Sequence, residues 1–109
     1  MKINVDKEKV GRLLKDGCSL VVFALMMTLP HITEKNVSTM KRYIGKANYS
    51  DAVSAIMASD MFGSYKNEII ELLKKGEDTE YYSSVIQVVN SDMFGSYKVD
   101  AIKKINEQL

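Results

Sequence analysis

The chain contains one cysteine and one histidine, and these are the residues best suited to catalysis or metal binding. Cys18 precedes an apolar segment, and a helix that starts there would favour the thiolate form of Cys18, which is the nucleophilic form. His31 lies in the segment LPHIT between two predicted helices. It has no second histidine or nearby cysteine, so scattered carboxylates would have to complete a metal site. A buried small residue at Cys18 and a turn histidine at His31 are simpler interpretations.

Motifs that hold phosphates or activate nucleophiles are also missing from the sequence. The chain has no GxGxxG, no Walker loop, no GxSxG and no HExxH. In these motifs the spacing of glycine, serine or histidine residues builds a phosphate-binding loop, a serine nucleophile or a zinc site. We therefore predict a protein that is not an enzyme, with no catalytic, cofactor-binding or metal-binding residue.

The octapeptide SDMFGSYK occurs twice, at residues 59–66 and again 32 residues later at residues 91–98. Each letter has a local use in a turn between two helices. The aspartate can bond backbone amides, the glycine can adopt a positive φ, and the second serine (Ser64 or Ser96) can cap the next helix. The methionine and phenylalanine can cover the end of the apolar layer. A structural role thus explains every letter.

A binding role is the alternative interpretation of the duplication. Equivalent positions of stacked units line up along one edge, and methionine and aromatic residues are favoured at protein interfaces. Tyr82 takes the place of Ser50 and adds a ring that core packing does not require. Lys66 and Lys98 could together hold phosphates at two helix N-termini. The candidate partner-binding residues are Met61, Phe62, Lys66, Tyr82, Met93, Phe94 and Lys98.

A helix is expected before and after each octapeptide, because apolar residues recur there with the spacing of one helix face. The faces before the octapeptides are Tyr49, Val53, Ile56 and Met57, and Tyr81, Val85, Val88 and Val89; those after are Tyr65, Ile69, Leu72 and Leu73, and Tyr97, Ala101, Ile102 and Ile105. The run from Ser84 to Val89 is β-branched and could form a strand. Its register copies an alanine-rich segment, residues 51–58, so we predict helix. Each unit is then an αα-hairpin.

Extending this pattern towards the N-terminus predicts one all-α domain of about seven helices. The domain divides into a leading helix at 1–17, a degenerate hairpin at 18–46, and hairpins at 47–76 and 77–109. In the degenerate hairpin Thr33 takes the capping place. The apolar run at 19–29 is shorter than the roughly 20 residues that span a bilayer. It also lacks the flanks of a signal peptide, so we predict a buried helix there and no membrane segment.

Two-helix units of this size, stacked with their apolar faces inward, resemble the α-solenoids of HEAT or armadillo type. The resemblance is one of pattern and covers Cys18 to Leu109. It implies a small stack of αα-hairpins whose terminal units are atypical because they cap the array. A compact bundle built from the same duplicated hairpins is the alternative architecture.

Composition and charge narrow the classes of partner. Fifteen basic and fourteen acidic residues give a formal charge of +1, far from the basic excess of a typical nucleic-acid binder. One cysteine cannot form an internal disulfide, which is typical of a reducing, cytoplasmic setting. Lysine far outnumbers arginine and isoleucine and asparagine are frequent, a composition typical of AT-rich codons in a bacterium, its phage or its plasmid.

These observations favour a non-enzymatic, cytoplasmic protein that binds another protein as an adaptor or stoichiometric inhibitor. The first alternative is a nucleic-acid-binding accessory protein that uses a helix-turn-helix-like hairpin. Its basic face would be the single predicted helix that carries Lys35, Lys41, Arg42 and Lys46. The second alternative is an enzyme built around Cys18 or His31.

Overall fold

The computed structural model describes residues 25, 28–40, 46–76 and 79–107. Within these ranges the chain forms five α-helices and no strand. The helices are α1 (Glu34–Ser38), α2 (Tyr49–Ala58), α3 (Gly63–Leu72), α4 (Thr79–Val89) and α5 (Gly95–Glu107). The all-α prediction is therefore confirmed for these residues, and the β-branched run at 84–89 is helical. The predicted leading helix at 1–17 and most of the apolar run at 19–29 lie outside the described residues.

Polar side chains mark the starts of the first two helices. At α1 the hydroxyl of Thr33 accepts from the backbone N–H of Asn36 at 3.2 Å, and the Asn36 side chain accepts from the Thr33 N–H at 3.3 Å. At α2 Asn48 and Asp51 exchange the equivalent bonds, both 2.9 Å long. These capping boxes satisfy backbone donors that lack partners in the first turn of a helix.

The helix that begins within the first octapeptide, α3, starts without such a cap. Phe62 is the residue before α3, and its carbonyl accepts from the backbone N–H of Lys66 at 3.1 Å. The prediction that Ser64 and Ser96 cap α3 and α5 is wrong, because each serine lies inside its helix as the second residue. The glycine before each serine is the first helical residue and has no positive φ, so that prediction is wrong as well.

Helix packing follows the duplicated sequence. α2 packs against α4 and α3 packs against α5, while α2 also contacts α3 and α4 contacts α5. The second unit buries every apolar position that its spacing predicts on α4, and on α5 it buries Ala101, Ile102 and Ile105. In the first unit Ile56 is fully buried, but Met57 is 57% exposed and does not join the core face predicted for it.

α4 is the central helix of the described residues. From Tyr81 to Val89 it is buried on nearly every side, including the polar side chains of Ser84 and Gln87. A helix buried in this way lies in the interior of a domain. The radius of gyration is 13.0 Å, the value of a compact domain of about 100 residues. The architecture is a compact all-α globule. None of the helices seen here is long and apolar enough to cross a membrane.

Two tyrosine hydroxyls hold the loop between α3 and α4. The Tyr82 hydroxyl donates to the carbonyl oxygen of Lys74 and accepts from the N–H of Gly76 at 3.0 Å. The Tyr81 hydroxyl accepts from the N–H of Lys74 at 3.2 Å. Tyr82 is only 1% exposed. The prediction that Tyr82 is a surplus ring on a binding surface is therefore wrong, because its ring fills the core and its hydroxyl fastens this loop.

Candidate functional site

In each octapeptide a serine and a lysine donate side-chain hydrogen bonds to carbonyl oxygens in the last turn of the preceding helix. In the first copy the hydroxyl of Ser59 donates to the carbonyl oxygen of Ile56 at 2.6 Å, and the ammonium of Lys66 donates to the carbonyl oxygen of Met57 at 3.0 Å. Both acceptors lie in the last turn of α2, where carbonyls lack partners within the helix. A cation at this end also interacts favourably with the helix dipole.

The second copy repeats these bonds at the end of α4. The hydroxyl of Ser91 donates to the carbonyl oxygen of Val88 at 2.6 Å, and the ammonium of Lys98 donates to that of Val89 at 2.8 Å. The serine and the lysine thus have the same structural use in both copies. This shared use explains why both letters recur.

The paired lysines are therefore engaged by the protein itself. Lys98 is only 3% exposed. Burial lowers the pKa of Lys98 below its ordinary value of 10.5, and the carboxylates of Asp60 and Asp92 act in the opposite direction. The predicted phosphate site across Lys66 and Lys98 is not formed, because Lys98 belongs to the interior and Lys66 bonds a carbonyl of α2.

The methionine and phenylalanine of each octapeptide have opposite placements. Met61 and Met93 are buried, whereas Phe62 is 77% exposed and Phe94 is 73% exposed. Full burial of a phenylalanine contributes about 1.5–3 kcal/mol, and these two rings forgo most of that stabilisation. The prediction that both letters cover the apolar layer is confirmed for methionine and wrong for phenylalanine. Apart from Met57, these are the large apolar side chains exposed in the described part of the chain.

A tyrosine supports each exposed phenylalanine ring. The ring centroids of Phe62 and Tyr65 lie 6.2 Å apart, and those of Phe94 and Tyr97 lie 5.6 Å apart. Aromatic pairs at such distances attract each other beyond the area that they bury. Contact with the tyrosine therefore favours one orientation of each exposed phenylalanine ring.

An open groove of about 440 Å³ lies between the two turns. We call it the turn groove. Its lining is Asp60, Met61, Phe62, Tyr65, Asp92, Met93, Phe94, Gly95, Ser96 and Lys98. All predicted partner-binding residues except Lys66 and Tyr82 line it. Sequence reasoning did not name Asp60, Tyr65 or Asp92 as site residues, although the octapeptide contains all three and was the signal for them.

Close packing of the two copies depends on Gly95. A Cβ atom at this position would lie 3.0 Å from Cγ and Cε2 of Tyr65 and closer still to its Cδ2. The equivalent Gly63 has no atom within 4 Å of such a Cβ. Glycine is thus required in the second copy because a ring approaches its backbone, which only a residue without a side chain permits.

The two aspartates of the turn groove have different surroundings. Asp92 accepts from the hydroxyl of Thr39 at 2.8 Å and from the side-chain amide of Asn36 at 3.3 Å, which ties the second turn to α1. The Thr39 bond is the main reason that the pKa of Asp92 lies below its ordinary value of 3.8. Asp60 is exposed, and no residue in the described ranges donates a hydrogen bond to it. No sequence signal links Thr39 to Asp92, because they lie far apart in the chain.

The basic cluster of the nucleic-acid alternative is not carried by one helix. Lys35 lies in α1, which ends one residue before Thr39, where the Thr39 hydroxyl and N–H both bond backbone carbonyls of α1. Lys46 is exposed in the non-helical segment before α2, and Lys41 and Arg42 lie outside the described residues. The predicted continuous helix from Lys35 to Lys46 is therefore wrong, because the bonds of Thr39 end α1.

His31 lies in a turn, as predicted, and its ring packs beside α5. Its ring centroid is 4.5 Å from that of Tyr97. Its Nε2 lies 3.4 Å from Oδ2 of Asp100 without the geometry of a hydrogen bond. Cys18 lies outside the described residues, so the alternative of an enzyme built around Cys18 or His31 stays a prediction.

Neither a metal cluster nor similarity to a known protein indicates the function of the turn groove. Among the residues whose structure is described, no three His, Cys, Asp or Glu side chains come together to hold a metal ion. No family model matches the chain, and no curated protein or solved structure is significantly similar to it. The turn groove holds both exposed phenylalanine rings and is the surface from which we infer a function.

Proposed function

We propose that this protein is a non-enzymatic protein-binding module, an adaptor or a stoichiometric inhibitor, and that it binds its partner through the turn groove. The observation that carries this proposal is the exposure of Phe62 and Phe94 on the lining of one groove. Exposed apolar patches rimmed by polar residues mark protein interaction sites. A partner that covers both rings would recover the stabilisation that the folded chain forgoes.

We also propose that α2–α3 and α4–α5 are duplicated αα-hairpins packed side by side, in the manner of a small solenoid closed around α4. Contacts between equivalent helices, α2 with α4 and α3 with α5, support this architecture. The matching serine and lysine bonds of the two turns support it as well. Such packing brings equivalent turns to one edge, which accounts for two phenylalanines on a single groove.

We also propose that the protein acts in the cytoplasm of a bacterium. The bacterium itself, its phage or its plasmid encodes it. The single cysteine and the lysine-rich composition support this assignment. If a mobile element encodes the chain, a protein of the host cell is the natural target of a stoichiometric inhibitor.

Replacement of both phenylalanines tests the proposed function. We expect the double variant Phe62→Ser and Phe94→Ser to lose capture of a protein partner from a lysate of the native host. Loss of one aromatic hot spot typically weakens binding by about 2 kcal/mol or more, which is roughly thirtyfold. Helicity should stay that of the wild type, because surface substitutions usually change stability by less than about 0.5 kcal/mol. Affinity capture with quantitative mass spectrometry and circular dichroism measure the two quantities.

Met57→Ser is the matched control for these substitutions. Met57 is also a large exposed apolar side chain, but it does not line the turn groove. We expect this variant to capture the same partner as the wild type. Equal capture by the double phenylalanine variant would leave the turns with a structural role alone and would overturn the proposal.

A further inference from the structure

The turn groove combines aromatic rings with carboxylates. The rings are Phe62, Tyr65 and Phe94, and the carboxylates are Asp60 and Asp92. Among the described residues, Lys98 is the basic member of the lining, and its ammonium is buried against a backbone carbonyl. Acidic groups therefore outnumber basic ones, and the groove favours a cationic occupant with apolar surroundings.

The two carboxylates differ in their capacity to bind that cation. Asp92 already accepts hydrogen bonds from Thr39 and Asn36. Asp60 is exposed and accepts none from the described residues. An ionised carboxylate offers about four acceptor sites on two oxygens. Asp60 is therefore the group in the groove with its acceptor sites open to a partner.

We propose that the turn groove binds an arginine side chain of a partner protein, with the guanidinium stacked on the phenylalanine rings and hydrogen-bonded to Asp60. This inference rests on the proposed function and names the chemistry of the partner. Guanidinium and carboxylate groups form two parallel N–H···O bonds, and aromatic faces attract cations within about 6 Å of the ring centroid. An apolar neighbour of the arginine packs against the remaining aromatic surface.

Other occupants fit this chemistry less well. A lysine ammonium is a more strongly hydrated point charge that cannot bond a carboxylate with a planar fork or stack on a ring as guanidinium does. A phosphate or a nucleic acid would meet two carboxylates, and the basic residue that the described part of the chain places in the lining, Lys98, is buried. A second copy of this chain in a two-fold dimer would place the same acidic groove against itself and oppose like charges.

Selection from a random peptide library displayed on phage tests the proposal. The wild-type chain is the bait, and clones that also bind the Phe62→Ser, Phe94→Ser variant are removed. We expect the remaining clones to be enriched in arginine next to an apolar residue. Enrichment without arginine, or no enrichment at all, would overturn the inference.

A synthetic peptide from the selected set then tests how much the charge of its arginine contributes to binding. Fluorescence anisotropy measures its Kd with arginine and with citrulline, which has a similar shape and no charge. We expect citrulline to weaken binding by about tenfold or more, because hydrogen bonds to charged groups are the strong ones. Asp60→Asn should weaken the arginine peptide by a similar factor, and Met57→Ser should leave its Kd unchanged.

The outcomes separate this inference from the proposed function. If partner capture requires the phenylalanines but neither citrulline nor Asp60→Asn weakens binding, the arginine site is refuted and the protein-binding function stands. If capture does not require the phenylalanines, the function itself fails. Free arginine amide that binds as tightly as the peptides would indicate a small-molecule site. Self-association that disappears in the phenylalanine variant would indicate a second copy as the occupant. Either result would overturn the inference.

Discussion

Replacing Gly95 with alanine should destabilise the fold, whereas the same change at Gly63 should not. The added Cβ of Gly95→Ala would lie 3.0 Å from two ring atoms of Tyr65 and closer to a third. Two of the three atoms, Cγ and Cδ2, lie at the base of the ring, so only a movement of the whole Tyr65 side chain could relieve the contact. Overpacking of this kind typically costs about 1–3 kcal/mol. The gain from alanine over glycine in a helix is about 0.5–1 kcal/mol, so the expected net loss lies between about 0 and 2.5 kcal/mol, with its centre a little above 1 kcal/mol.

Gly63→Ala is the matched control, because it makes the same change in the same octapeptide at the same helix position. A Cβ at Gly63 would meet nothing within 4 Å. Glycine-to-alanine changes that fit the backbone stabilise proteins by about 0.4–1 kcal/mol through the unfolded state. We therefore expect Gly63→Ala to be neutral or slightly stabilised. Urea unfolding followed by far-ultraviolet circular dichroism measures both variants, and the midpoints are comparable if the m-value is unchanged.

A double-mutant cycle identifies the cause of the loss at Gly95. In a Tyr65→Ala background the ring is absent, so Gly95→Ala should cost nothing further and the coupling energy should equal the original penalty. If both glycines tolerate alanine equally, or if the penalty at Gly95 persists without the ring, the close approach between the two turns is not what glycine provides there.

Two further predictions concern the charged groups of the turns. Lys98→Met should lower the free energy of unfolding by about 1 kcal/mol or more, because a buried carbonyl loses its donor. Lys66→Met should cost less, about 0.5 kcal/mol, because Lys66 is only half-buried and water can replace its hydrogen bond. Urea unfolding measures both variants, and equal costs would contradict the difference in burial. The pKa of Asp92 is lowered in the folded state, so its contribution to stability is present above pH 3.8 and is lost as the pH falls through the lower folded value. Thr39→Val should make stability fall less steeply on acidification below pH 3.8; a pH series of thermal unfolding that shows an unchanged slope would refute this.

Local structure around the octapeptides could be predicted from the sequence. The helices α2 to α5 lie where the apolar spacing places them, because a periodic stripe can be buried only if the chain is helical there. The burial of Met61 and Met93 beneath their turns was also predictable, since both follow the end of an apolar helix face. The predicted helix starts were less accurate. The first backbone hydrogen bond of α3 is accepted by the carbonyl of Phe62, and no side chain caps this helix, although the nearby serine suggested such a cap.

Identical letters nevertheless have different surroundings, and only the tertiary structure decides these. Lys98 is buried and Lys66 is half-buried, although both make the same bond nine residues back along the chain. Gly95 is packed against a ring and Gly63 faces open space. Local bonds repeat because their partners lie at a fixed distance in the chain, whereas burial depends on which other elements cover a side chain.

Aromatic placement follows the same division between local and non-local causes. The sequence shows where the aromatic residues are, at Tyr82 and in each octapeptide, but it does not show which of their rings the fold buries. The fold buries Tyr82 between the core and the α3–α4 loop and leaves Phe62 and Phe94 in solvent. The turn groove exists because two segments that are distant in sequence meet, so the sequence supplies its side chains while packing between the two units creates the site.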